Sequence, residues 1–201
     1  MFKFRSTFSC GLALSAIVLL SACKTPGGSA GSTPAMPDKP AAVVTPAKQG
    51  IIRIKAGAAA AVKDSAGNTW LADTGFVDGE TTERDAALKI DNTTTPELYR
   101  SEHYGMTSFT YKVPNGKYTL KLHFAETYEE ITAAGGRVFS FTVKGHAPYQ
   151  NFDVFAKAGG ANKAYVETVR DVVVTDGQIT ITFTPSDANN PEINAIEIIP
   201  N

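Results

Sequence analysis

KYTLKLHFAETYEE, residues 117–130, alternates polar and apolar side chains until Phe124 and then loses the rhythm. Successive side chains of a strand point to opposite faces, so Tyr118, Leu120, Leu122 and Phe124 share one face. Continued by two more steps, that face would carry Glu126 and Tyr128. A carboxylate is too costly to bury unpaired. The apolar face is therefore expected to run out near Ala125, which leaves Tyr128 at the rim of a sheet. Glu129 and Glu130 look like a carboxylate pair, yet neighbours in an extended chain point apart.

The same alternation recurs at residues 51–55, 108–113, 137–143, 169–174, 178–184 and 193–199. Turn residues separate these runs, as at Pro114-Asn115-Gly116, Thr175-Asp176-Gly177 and Asn189-Asn190-Pro191. No segment keeps a helical period over three turns. Many short strands without intervening helices predict an all-β chain, a two-sheet antiparallel β-sandwich of jelly-roll-like type. Ile179, Ile181 and Phe183 should face its core, with the threonines between them outside. Trp70, the single tryptophan, reads as a core residue. Residues 56–95 have weak strand character and should run over one end or edge, where ligands reach.

The chain has 201 residues, 43% hydrophobic and 19% charged, which fits one globular domain plus extensions and excludes wholesale disorder. A formal net charge of −1 gives no electrostatic case for nucleic acid. Residues 1–22 place Lys3 and Arg5 before an apolar run too short to span a bilayer, the pattern of a secretory signal. It ends in Leu20-Ser21-Ala22-Cys23, which resembles the lipobox of bacterial lipoproteins and marks Cys23 for lipidation. Cys10 is lost with the signal, so the exported chain forms no internal disulfide and its one cysteine has a use. Lys24 after that cysteine implies sorting to the outer membrane. Residues 23–49, rich in Pro, Gly, Ala and Ser, read as a flexible tether. The expected functional domain is 50–201.

No HExxH, Walker loop or dinucleotide fingerprint is present. His103, His123 and His146 are too dispersed for a local metal motif and read as strand or surface residues. No cofactor is expected; structural calcium on turn carboxylates stays open, although nothing resembles an EF-hand loop. A glycosidase would need two carboxyl groups about 5–10 Å apart, one with a raised pKa. Glu102, Glu126, Glu129, Glu130 and Asp153 are the nominees, and sequence gives no separations. A rim tyrosine at 128 suits a sugar, with a flat apolar ring and a hydrogen-bonding tip. A packed loop tyrosine explains the pattern equally.

Several segments, in order, carry a resemblance across residues 50–201. They are Ile52 to Gly57, Asp64 to Asp73, Leu98 to Tyr104, Phe124 to Tyr128, Asn151 to Phe155 and Asn190 to Ile196. Together they resemble the malectin domain. The resemblance implies a non-catalytic carbohydrate-binding β-sandwich, whose animal members bind glucose disaccharides in a cleft lined by aromatic residues and an acid. Carried over, the family's tyrosines fall on Tyr104 and Tyr128, and a further aromatic corresponds to Phe76. Glu129 stands where the animal proteins carry a ring, and Asn189 replaces their acid. The expectation is therefore an envelope lipoprotein, not an enzyme, that holds an oligo- or polysaccharide containing glucose or envelope sugars. Tyr104 and Tyr128 would stack on it while Asn189 and Glu129 hydrogen-bond. The alternatives are an envelope adaptor that uses the same rim for a protein partner, and hydrolysis by an unrecognised carboxylate pair.

Overall fold

Among the described residues the alternating stretches become paired strands. The computed structural model describes residues 50–201; the expected signal, Cys23 and the tether over 23–49 lie outside the described residues. Numbered along the chain, the first strands are β1 (Ile52–Lys55), β2 (Val62–Lys63), β3 (Thr69–Trp70), β4 (Phe76–Val77), β5 (Glu80–Glu83), β6 (Ser101–Tyr104) and β7 (Ser108–Lys112). There follow β8 (Gly116–Phe124), β9 (Phe139–Val143), β10 (Tyr149–Phe152), β11 (Tyr165–Val174), β12 (Gln178–Pro185), β13 (Glu192–Ile193) and β14 (Ala195–Pro200). Among the described residues one short α-helix, α1 (Val154–Ala158), is capped by Asp153, whose carboxylate accepts from the Ala156 amide.

Two antiparallel sheets form the sandwich, ordered β1-β14-β8-β11 and β10-β9-β12-β7-β4. The expected inward face of β8 holds: Leu120, Leu122 and Phe124 are fully buried between β14 and β11. Opposite them Phe139, Phe141 and Phe152 gather around Phe124, with ring centroids 6.3, 6.2 and 4.9 Å away. Burying each such side chain stabilises the fold by about 1.5–3 kcal/mol before entropy is counted. Ile179, Ile181 and Phe183 of β12 close the same core, with Thr182 and Thr184 exposed.

β11 starts four residues before the alternation at Val169 suggests. Its register shifts between Val169 and Val172, where Asp171 has a φ of 59°. This bulge puts the buried valines three positions apart, which breaks a period-two pattern.

Residues 56–95 do more than run over an edge. Trp70 is buried, as its solitary status suggested, with Nε1 donating to Asp64 at 2.8 Å. It joins Ile90, Leu98 and Tyr99 in a second apolar cluster against Ala125 and Ala195 at one end of the first sheet. His123, on the outward face of β8, is buried there between Trp70, Tyr99 and Glu197. A third sheet, β13-β6-β5, stands at this end and forms the base of the candidate site.

Candidate functional site

In the small sheet Glu192 and Glu80 flank Tyr104 in register, and Thr82 lies opposite Glu102. Residues in register, and those two apart, share a face. Glu80, Thr82, Glu102, Tyr104 and Glu192 therefore make one surface, while Ser101 and His103 make the other. Behind the sheet, Lys55 Nζ donates to the carbonyl oxygens of Ala56 and Ser101, each at 3.0 Å, and burial pulls it down to about 7. His103 hydrogen-bonds Asp73 and the Asp78 carbonyl, both at 2.9 Å, and stacks on Phe76 at 4.4 Å. Phe76 thus packs behind the platform, also 5.0 Å from Phe109, and does not line the cleft in front.

That cleft has a volume of about 320 Å³. Tyr104 rises from the platform; Tyr128 comes from the loop after β8, and Asn189 from the turn before β13. Tyr104, Tyr128 and Asn189, distant in sequence, are brought together to line the cleft. Glu129 is not among them, because the chain turns at Tyr128, where the Ile131 amide donates to the Tyr128 carbonyl. Its neighbour Glu130 takes the place in this cleft, and Glu129 lines a second cleft of about 540 Å³ beyond Tyr128.

Glu126 corrects the reading of the opening stretch. The apolar face does end at Phe124 and Ala125, yet Glu126 is fully buried. Arg137 makes that tolerable: its Nε donates to Oε2 at 2.7 Å and its Nη2 to Oε1 at 3.4 Å. The Tyr128 amide donates to Glu126 Oε1 at 3.0 Å, and Arg137 Nη1 donates to the Asn190 carbonyl at 2.8 Å. One buried ion pair thereby holds the Tyr128 loop and the Asn189 turn in place. A second pair lies beside it. Arg84 Nη2 donates to Glu102 Oε1 and Thr127 Oγ1 to Glu102 Oε2, each at 3.1 Å.

Glu192 differs from both. It is fully buried on the cleft face of the platform, and neither of its oxygens has a hydrogen-bond partner among the described residues. Burial, and then the nearby charge of Glu102, pushes its carboxyl well above the usual range, against the pull of Arg137. A protonated Glu192 leaves two guanidinium groups facing two carboxylates, a neutral floor.

The two tyrosines keep their protons. The Tyr104 hydroxyl donates to Glu80 at 2.8 Å, and this bond raises its pKa. Glu130 beside Tyr128 does the same there. Asn189 adopts a φ of 74°, a conformation asparagine tolerates better than most residues, and its Oδ1 accepts from the Asn190 amide at 2.8 Å. Its amide nitrogen makes no bond to protein among the described residues and is free to donate.

Arg84 and Arg137 are the functional residues that pattern reading missed. No local motif marks them, since their partners lie 18 and 11 residues away. Asp153, a nominated carboxyl, caps α1 and accepts from the Gly135 amide at 2.7 Å, outside this cleft. Among the described residues no group of three or more His, Cys, Asp and Glu is placed to hold a metal ion. None of the helices among the described residues is long and apolar enough to cross a membrane.

Comparison with known proteins adds kinship to this geometry. The sequence pattern of the malectin domain matches residues 50–196. Receptor-like protein 4 of Arabidopsis thaliana is 35% identical over 85 residues, 42% of this chain and 13% of that protein. A Bacteroides uniformis beta-glucuronidase superposes with a TM-score of 0.65 at 16% identity, over 75% of this chain and 18% of that one. The ANXUR1 extracellular domain of Arabidopsis thaliana gives 0.63 at 18%, over 74% and 47%. The chain spans a small part of the curated relative and less than half of either solved chain. At such identities the two structures speak for the fold alone.

Proposed function

Because the chain belongs to the malectin domain family, whose pattern spans most of it, we propose that it binds carbohydrate without altering it, in the cleft between Tyr104 and Tyr128. The observation that carries this reading is the convergence of two rim tyrosines and Asn189 over a floor of two ion pairs, one buried and one partly buried. The rings take the C–H faces of a sugar. The Asn189 amide and Glu130 meet its hydroxyls, in the place first expected of Glu129. The floor stays fixed, so little ordering is left for the ligand to impose.

The state of the carboxyl groups supports binding over hydrolysis. Glycoside cleavage needs an acid and a base that reach the scissile bond from either side. Glu102 and Glu126 already accept from Arg84, Thr127, Arg137 and the Tyr128 amide, and Glu192 has no exposed surface. Of the exposed carboxyl groups on this side, Glu130 lines the cleft and Glu80 already accepts from the Tyr104 hydroxyl.

The test is retention of the chain on a panel of α-glucans, β-glucans and envelope glycans, with release of reducing sugar measured on whatever is retained. Retention without release is expected. Failure to bind any glycan removes the basis of the proposal, and release would make it an enzyme.

We also propose lipid anchoring at Cys23 in a bacterial envelope, with the outer membrane as destination, supported by the Leu20-Ser21-Ala22-Cys23 pattern and Lys24. Several acyl chains together hold where one does so only marginally. Cys23→Ser should move the protein from the membrane fraction to the soluble one. A variant that stays with the membrane contradicts the anchor.

A further inference from the structure

Tyr128 borders both clefts, and so does Arg84. The two depressions are thus neighbours across a single side-chain ridge. The ridge is held from below: the Tyr128 amide is fixed on Glu126, and the Thr127 hydroxyl accepts from Arg84 Nε at 3.1 Å while donating to Glu102. Ligand sites commonly measure about 300–1,000 Å³, and each cleft falls within that range by itself. The second is also chemically different from the first. Leu88, Ile131 and Phe155 give it apolar surface, and Glu129, Thr132 and Asn162 give it hydrogen-bonding groups. Phe155, half-buried on α1, supplies the ring that Glu129 does not.

We propose that the two clefts form one groove for a linear oligosaccharide of three or more units, which crosses the Tyr128 ridge and sets its outer units against Phe155. This rests on carbohydrate binding at the first cleft and extends it. An aromatic ring has two faces, and a ridge tyrosine can serve a sugar unit on each side. Recognition in this form reads a stretch of polymer, and its selectivity includes length and linkage, since a wrong linkage steers the chain away from the second cleft.

The experiment is titration calorimetry on the full chain with di- and heptasaccharides of glucose, mannose, galactose and N-acetylglucosamine, in α- and β-linked series. A longer chain offers a two-unit site several overlapping frames, so variants must separate that statistical gain from real contacts. Phe155→Ala removes the ring. Thr132→Trp, at an exposed position, fills the second cleft without touching the core. The heptasaccharide should bind the native chain about twentyfold more tightly than the disaccharide, which is close to 2 kcal/mol. Either variant should lose most of that gain while keeping the disaccharide affinity and the melting temperature. Equal affinity for both lengths, or a gain that survives in Thr132→Trp, overturns the groove and leaves disaccharide binding intact. If no sugar of either length binds, the carbohydrate reading itself falls.

Discussion

Tyr104 and Tyr128 carry the binding argument at the scale of single residues. Their rings are half-exposed and outside both apolar clusters, so removing either should cost affinity more than stability. Tyr104→Ala and Tyr128→Ala should each weaken glycan binding tenfold or more, about 1.4 kcal/mol, in the manner of aromatic hot spots. The thermal midpoint should stay nearly fixed; a large fall would identify them as packing residues. Arg137 predicts the reverse. Its guanidinium compensates a carboxylate with no access to water, so Arg137→Ala should cost about 3–5 kcal/mol in denaturant unfolding. Replacing the pair together, Glu126→Leu with Arg137→Met, should recover much of that stability. Binding should not return with it, because the Tyr128 amide and the Asn190 carbonyl lose their partners.

At the scale of elements, the platform β5-β6-β13 determines where Tyr104 stands, and the turn before β5 determines how closely it is approached. Gly79 has a φ of +84°, and a Cβ there would lie 2.4 Å from the Tyr104 carbonyl and 2.7 Å from the Met106 amide. Both are backbone atoms and cannot swing away. Gly79→Ala should therefore shift β6, and it should weaken sugar binding and lower stability together, which calorimetry and thermal melting would show. The platform was also the least legible part of the sequence. Ser101, Glu102 and His103 are all buried, so this strand displays polar residues on both faces and no apolar alternation. β8 and β12 were legible because each buries one face and wets the other. β11 was only half so, since its bulge interrupts the period. Tyr104, Tyr128 and Asn189 could be nominated through resemblance, whereas Arg84 and Arg137 could not. Their importance comes from partners that only the folded chain brings near.

For the whole molecule, the buried floor makes stability depend on pH. Glu192 faces Glu102, Glu126, Arg84 and Arg137, and its carboxyl ionises in the folded chain only well above the unfolded value of 4.5. The folded state then binds the extra proton. The stability this group contributes is full below pH 4.5 and is lost as pH rises from there through the folded pKa, at up to about 1.4 kcal/mol per pH unit. Glu192→Gln has no proton to lose. Its stability relative to the native chain, from urea unfolding at a series of pH values, should rise steadily above about pH 5; a constant difference would show that Glu192 ionises normally. The most direct measurement of sugar binding at the cleft is glycan-array binding of the native chain beside Tyr104→Ala and Tyr128→Ala at matched folding. One class of glycan should be retained by the native chain and lost by both variants. Native and variant chains with the same profile, or a native chain that retains no glycan, would contradict it.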